Sequence, residues 1–333
     1  MTLTGSPGLS GAVLGIFRAT RRPKRPQLLI VAPKPKPSVY TRAMAVQIRS
    51  GLTERMPYSL SRWTDLPACK WDWFQVQLAQ GFMIGFDPRT AVPSRWSLKP
   101  EDTLGLVFWT KDPRKLVQGY DADLAGRGYD VKAHVTITGW PEVEHGVLNS
   151  RDACIWAEEL AARIGPLNVS WRFSPVPLGF PDRQYDILSR GLLDRFEGIA
   201  MGLGGTTTQC YVSFLQPNDF MTETRPAKER TRLLRAFADL AAPHGIEVIL
   251  CQDDHTLDGC KPHPNLRAGV CVPAEGFGGK TAEAEDCGCV PMIDPFTINE
   301  KCSLGCSYCY AADTSLNPCK RNTTACIHLP VLP

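Results

Sequence analysis

Three cysteines near the end of the chain, in Cys302-Ser-Leu-Gly-Cys306-Ser-Tyr-Cys309-Tyr310, have a C-x3-C-x2-C spacing. Thiolates at this spacing can hold three irons of a [4Fe-4S] cubane and leave the fourth iron without a protein ligand. A structural cluster or a zinc site wants four ligands. An open iron can instead chelate the amino and carboxylate groups of S-adenosylmethionine and set its sulfonium beside an electron source. One electron then breaks the bond from sulfur to the 5′ carbon, and the resulting 5′-deoxyadenosyl radical can take hydrogen from a substrate C–H bond. The competing chemistry is a zinc site whose fourth ligand comes from Cys319, Cys326, His328 or Cys287.

A second group, Cys251, Cys271, Cys287 and Cys289, contains a C-x-C pair and has enough thiols for a fully ligated auxiliary cluster, serving as electron relay or structural clamp. Zinc would accept the same four, and unligated thiols are the third reading; Cys260, Cys319 and Cys326 are possible substitutes. The chain has 13 cysteines. An odd count without an export signal argues against a disulfide framework and for metal or redox chemistry. Cys69, Cys154 and Cys210 lie far from both groups in sequence and read as small buried side chains.

These groups need a scaffold, and from Met56 onward short β-type runs alternate with helical ones. The runs predict strands at Tyr58 to Ser61, Leu104 to Thr110, Val131 to Thr138, Val169 to Phe173, Gln209 to Leu215, Ile246 to Cys251 and Met292 to Ile298. Helices are expected over Trp71 to Gln80, Asp152 to Ile164 and Pro226 to Ala242. The first has apolar residues at helical spacing, the second stops at Gly165-Pro166, and the third opens on Pro. Six or seven such units predict an α/β fold, a full or partial (β/α) TIM-like barrel of parallel strands. The expected organisation is a basic, flexible arm over 1–54, barrel units over 55–250, and a Cys-rich iron-sulfur segment over 251–333 that completes the barrel.

In such a barrel the working residues stand where strands run into the following loops. That rule selects Ser61 and Arg62, Thr110 and Lys111, Thr136 and Thr138, Arg172, Ser213, and Cys251 with Gln252. Arg62, Asp65, Lys111 and Arg172 are the catalytic candidates; Tyr308, Ser213 and Thr136 are the cofactor-binding ones. For any one of them alone, solvation or structural hydrogen bonding is the blander account.

Charge is unevenly spread. The formal net charge is +3, yet residues 1–53 hold nine Lys or Arg and no acid, so the remainder carries 28 basic against 34 acidic residues. RRPKRP and APKPKPS favour an extended arm, either a solvated tail or a segment lying along nucleic-acid phosphates. An organelle transit peptide also fits an acid-free, Arg-rich stretch. With 43% hydrophobic and 21% charged residues and no run of about 18 apolar residues, the expectation is a soluble cytoplasmic protein without a membrane partner.

Beyond the cysteine triple, the sequence resembles a family of largely uncharacterised bacterial radical-SAM-like proteins known as a domain of unknown function. The likeness covers about Tyr58 to Ala312. It rests on SLSRWTDLPA (Ser59 to Ala68), VFWTKDP (Val107 to Pro113), RIGPLNVSWRFSPV (Arg163 to Val176), Cys287-Gly-Cys289 and CSLGCSYCYA. The wider superfamily resemblance implies that Tyr308, the aromatic residue before the last cysteine, borders the adenine, and that a flavodoxin- or ferredoxin-type donor supplies the electron. Two family features are replaced: paired arginines by Arg62-Trp63, and an acid by Ser174. The cysteine loop, which in the superfamily follows the first barrel strand, comes near the chain's end, implying a permuted barrel. No Gly-Gly-Glu motif is present, since Gly204-Gly205 is followed by Thr206.

The basic arm and the tryptophans at 63, 71, 73, 96 and 109, which could stack bases, point to a nucleobase substrate. Similarity to superfamily members acting on thymine-derived bases implies isomerisation or repair of a modified thymidine in DNA, as in phage thymidine-hypermodification isomerases, with host cytoplasm as the location. A small metabolite or peptide substrate, and a non-enzymatic zinc or iron-sulfur protein, are the alternatives.

Overall fold

The computed structural model describes residues 47–48, 55–61, 64–86, 93–176, 189–214, 227–251, 257, 261–277, 289–294 and 302–309. The chain divides into two units, Met1–Ala45 and Val46–Pro333, and all described residues belong to the second. The predicted arm, except for the two residues of a short strand, lies outside them, as do Arg62, Trp63, Gln252, Cys260, Cys287, Cys319 and Cys326.

The chain order is β1 (Gln47–Ile48), β2 (Tyr58–Ser59), α1 (Leu66–Cys69), α2 (Trp71–Gln80), β3 (Phe82–Phe86), β4 (Pro93–Ser97), β5 (Leu106–Thr110) and α3 (Arg114–Gly119). Then come β6 (Val131–Thr136), α4 (Ser150–Ile164), β7 (Val169–Val176), α5 (Leu192–Gly202), β8 (Gln209–Phe214), α6 (Ala227–Ala241), β9 (Glu247–Cys251) and β10 (Leu266–Gly269). Seven strands make one sheet in the order β10-β9-β8-β7-β6-β5-β2, and every neighbouring pair is parallel. A small three-stranded sheet, β1-β4-β3, stands beside it in the topology.

The order never reverses. Right-handed crossovers that always step in one direction put their helices on one face of the sheet, and the side chains follow this rule. Along β7, Val169, Trp171 and Phe173 are buried while Ser170, Arg172 and Ser174 are half-buried, the period of two of a strand with unlike faces. The apolar parity meets the helices: Phe108 packs edge-on against Phe74 of α2, and Phe173 against Phe196 of α5 and Phe237 of α6. Phe196 and Phe237 stack with centroids 4.2 Å apart. The opposite parity gives an inner face of Trp109, His134, Thr136, Arg172, Tyr211 and Ser213.

Ile293 makes an isolated parallel bridge to Tyr58 on the edge of β2 away from β5. Ser59 N–H donates to Ile293 O (2.8 Å) and Ile293 N–H to Pro57 O (2.9 Å). Among the described residues the sheet is not closed. The predicted strand Met292 to Ile298 is thus met at one bridge, and its remainder from 295 lies outside the described residues.

Local chemistry sets the boundaries. Helix α4 begins two residues before the predicted Asp152, because Asn149 caps it by accepting from Asp152 N–H at 2.9 Å. Helix α2 ends at Gly81, whose left-handed φ of 73° suits a residue without Cβ. No helix among the described residues is long and apolar enough to cross a membrane.

Candidate functional site

The C-terminal ends of β2, β5 and β6 receive the cysteine loop. Asp65, just beyond β2, is buried and caps α1, accepting from Ala68 N–H (3.0 Å). It also accepts from Thr110 Oγ1 (2.7 Å) and from Lys111 N–H (2.6 Å) at the end of β5. Its own backbone N–H donates to the Cys302 sulfur. Burial pushes the Asp65 carboxyl up to about 7, with the donated hydrogen bonds pulling the other way. The Asp65 carboxylate therefore ties the end of β5 to the start of α1, and its backbone N–H ties both to the cysteine loop.

The loop's other anchor is Glu144, in the turn after β6. Its side chain is 2% exposed and pairs with Lys111 Nζ at 2.7 Å, accepts from Thr138 Oγ1 at 2.7 Å, and accepts from the Tyr308 hydroxyl. Lys111 Nζ also stands 5.7 Å from the centre of the Tyr308 ring. Backbone contacts complete the docking: Glu144 bridges Cys306 in antiparallel sense, Ser307 N–H donates to Val143 O and Gly146 N–H to Leu304 O, both at 2.9 Å. A Cβ on Gly146 would meet the carbonyl oxygens of Ser303 and Leu304 at 2.9 Å, so glycine permits this approach.

Cys302, Cys306 and Cys309 are all half-buried. Burial pushes the Cys306 thiol up to about 11, against the pull of Lys111 and a hydrogen bond from Tyr308. The Tyr308 hydroxyl is itself held well above its ordinary range by burial and by Glu144. Beside the triple lies a fourth thiol, Cys69 at the end of α1, with its sulfur 3.8 Å from that of Cys302 and 3.2 Å from Ser303 Oγ. A hydrogen bond with Cys302 is the main cause that lowers the Cys69 thiol, and the same contact raises that of Cys302. Cys69 is thus not the packed apolar side chain expected of it, whereas Cys154 and Cys210 are buried, and burial alone lifts Cys154 to about 11.

The second cysteine group gathers on the inner face past β9 and β10. Cys271 and Cys289 sulfurs are 3.4 Å apart, and Cys271 also hydrogen-bonds Cys251. These contacts, then burial, drive the Cys271 thiol up. Arg172 belongs here and not with the cysteine loop. It registers with Thr136 on one side and Tyr211 on the other, its guanidinium carbon lies 4.9 Å from the Trp109 ring centre, and its charge lowers Cys271. Trp109 stacks on His134 at 4.2 Å and donates to Ser59 Oγ at 3.1 Å. Burial, then Arg172, depresses His134 well below its usual range, leaving a neutral imidazole. Ser213 hydrogen-bonds Ser174 through their hydroxyls.

The fold therefore separates the predicted residues into two sets. Asp65, Lys111 and Tyr308 meet at the cysteine loop; Arg172, Thr136 and Ser213 lie on the inner face. Glu144 and Cys69 were not expected at either place. An acid and a threonine following a strand, as in Thr138 and Glu144, were the available signal for the first; nothing in the spacing of Cys69 marks it. Trp71 is buried, with its indole N–H on Asp123 at 3.1 Å, and so offers no face for a base.

The family model for a domain of unknown function, DUF1848, matches residues 58–311. The chain belongs to the DUF1848 family. The match runs from β2 to just past Cys309, so the parallel sheet and both cysteine groups are parts of one DUF1848 domain. No curated protein and no solved structure matches the chain.

Among the described residues no three His, Cys, Asp or Glu side chains converge on one point that could hold a metal ion. A cubane asks for something different, namely one thiolate at each of several irons around a cage. Three half-buried thiols on one eight-residue loop, with backbone N–H groups of Asp65 and Leu304 directed at the Cys302 sulfur, are a donor set of that kind. Residues 251, 271 and 289 supply three thiols of the second group, and the fourth, Cys287, lies outside the described residues.

Proposed function

We propose that this DUF1848 protein is a radical SAM enzyme, with Cys302, Cys306 and Cys309 as the ligands of its [4Fe-4S] cluster. The observation that carries the reading is the docking of the C-x3-C-x2-C loop onto the C-terminal ends of parallel strands through Asp65 and Glu144. When bound there, the cluster would supply the electron that cleaves S-adenosylmethionine to a 5′-deoxyadenosyl radical. The chain's own residues bind and orient. Asp65 fixes the loop to β2 and β5, Glu144 holds Lys111 and Tyr308, and Tyr308 supplies an aromatic face beside the thiols. Lys111 contributes a cation near Cys306. Cys251, Cys271 and Cys289, with Cys287, would hold an auxiliary cluster or zinc, and Arg172, Ser213 and Thr136 on the same inner face are the substrate-side groups.

The scaffold of this reading is a (β/α) barrel with its eighth strand starting at Ile293, supported by the unreversed strand order and the one-sided helix layer. The proposed reaction is isomerisation or repair of a thymidine-type base in DNA, with a flavodoxin- or ferredoxin-type donor. Anaerobic reconstitution with iron and sulfide tests the chemistry. A brown protein that releases 5′-deoxyadenosine under reductant, and loses this in Cys302→Ala, Cys306→Ala and Cys309→Ala, supports it. A colourless zinc protein that leaves S-adenosylmethionine intact refutes it and favours the structural role.

A further inference from the structure

Arg172 is a half-buried cation at the middle of the sheet, on the fourth of its seven strands. Among the described residues no hydrogen bond and no ion pair reaches its guanidinium. We propose that Arg172, together with the hydroxyls of Thr136 and of the Ser174–Ser213 pair, binds a carboxylate group of the substrate. The inference deepens the proposed function and rests on it, because it names the chemistry that those substrate-side groups would recognise.

The charges around Arg172 carry it. Glu247 is the one acid in the described strands of this sheet. It stands at the start of β9 in register with Gln209, two residues short of the Tyr211 level at which Arg172 lies, and it is already paired with Arg267 at 3.0 Å. Beyond the strand ends, Asp65 and Glu144 are held at the cysteine loop. Trp109 engages the guanidinium, with 4.9 Å from its carbon to the ring centre. A cation–π contact of this kind uses the charge but satisfies none of the five N–H donors. The neighbouring polar groups are occupied: the Trp109 indole N–H donates to Ser59 Oγ at 3.1 Å and the Tyr211 hydroxyl to Gln209 Oε1 at 3.0 Å. Burial, and then Arg172 itself, keeps His134 neutral, so the imidazole neither competes for an anion nor offsets the cation.

A planar anion with two acceptor oxygens matches the guanidinium fork, and the surroundings offer neutral donors for its remaining lone pairs. Thr136 ends β6 in register with Arg172 and is half-buried. Ser174 and Ser213 hydrogen-bond each other, and two hydroxyls joined by one such bond keep one O–H to donate. Thr136, Ser174 and Ser213 stand toward the C-terminal ends of β6, β7 and β8, the side on which parallel α/β sheets take their ligands and on which the cysteine loop docks. One cation balances one negative charge. A phosphate monoester would bring about 1.5 to 2 charges and leave the surplus without a partner, whereas a carboxylate leaves none.

The test reads Arg172 directly in the full chain, prepared anaerobically, without S-adenosylmethionine or reductant. A short pulse of phenylglyoxal, which modifies accessible guanidinium groups, is followed by peptide mass spectrometry. The probes, at matched ionic strength, are N-acetylglycine, its neutral amide and dimethyl phosphate. N-acetylglycine should slow the labelling of Arg172 at least fivefold and leave that of Arg267 unchanged, while the amide should slow neither. Arg172→Lys keeps the charge and loses the fork; checked for folding by circular dichroism, it should bind N-acetylglycine about tenfold more weakly in an NMR titration. No protection of Arg172, equal slowing at Arg267, equal protection by the amide, or unchanged binding in Arg172→Lys would overturn the proposal. Equal protection by dimethyl phosphate would also overturn it, in favour of a nucleic-acid phosphate. No radical chemistry enters the measurement. Protection of Arg172 in a protein that makes no 5′-deoxyadenosine therefore keeps the carboxylate site and removes the enzymatic reading; unprotected Arg172 in a protein that makes it does the reverse.

Discussion

The Glu144 side chain has almost no access to water and is paired with a lysine and hydrogen-bonded by a threonine and a tyrosine. Replacing it with glutamine leaves Lys111, itself only 15% exposed, without a counter-ion. Breaking one partner out of a buried pair costs about 3 kcal/mol, so urea unfolding of Glu144→Gln should show a loss of that order, together with reduced iron content after reconstitution. A variant as stable as the parent would mean that water reaches the pair. Asp65 makes a prediction in pH. Its folded-state carboxyl titrates near 7, above the unfolded value of about 4, so between those values the native state binds more protons than the unfolded one. Stability should fall as pH rises through that window, by a few kcal/mol in total. Urea melts of the metal-free protein in steps from pH 5 to 8 should show the decline, and Asp65→Asn should flatten it; an identical slope in the variant would assign the decline to another group.

At the scale of elements, the cysteine loop is held by backbone as much as by side chains. Gly146→Ala places a methyl 2.9 Å from two backbone carbonyl oxygens, which cannot swing aside as a flexible side chain would. We expect the variant to keep its circular dichroism spectrum and to take up less iron than the parent after reconstitution, with faster alkylation of Cys306 as the direct readout. Retained metal and unchanged alkylation would show that the loop can shift without consequence. The long elements were legible: α2 matches its predicted span, α4 starts two residues earlier than predicted and ends where expected, and α6 differs from its span by one residue at each end. The β3–β4 hairpin was not. Phe82–Phe86 and Pro93–Ser97 lack a clean alternation of apolar and polar residues, and β3 follows α2 after the single residue Gly81. Helix α5, with Gly198 inside and Gly202 at its end, carries too weak a helical signal to be read alone, since each glycine costs about 1 kcal/mol of propensity.

For the whole molecule, the one-sided helix layer leaves an inner face with a cation, a neutral histidine and two aromatic rings. Trp109 stacks on His134 and faces Arg172, so its ring is already engaged, and a base would have to displace the guanidinium to stack there. Any DNA affinity should therefore come mainly from the basic segment. If its nine cations between residues 1 and 53 all neutralise phosphates, log Kd should change with log salt by a slope of up to about 8. Deleting residues 1–50 should remove most of that slope in a fluorescence-anisotropy titration. Salt-independent binding, or none, would turn the substrate reading toward a small metabolite or peptide.

The sequence by itself determined the alternation of strands and helices, the candidate thiols, and Asp65, Lys111 and Arg172 as groups at or beside strand ends. Those follow from local periodicity and from spacing within a few residues. The tertiary structure decided the rest: that Arg172 and Lys111 lie beside different cysteine groups, that Glu144 meets the loop, and that Cys69 lies against Cys302. Each of these joins residues far apart in the chain, from 33 positions for Lys111 and Glu144 to 233 for the two cysteines. No local pattern encodes such a meeting, because which strand ends share an edge depends on the order in which the whole sheet is wound.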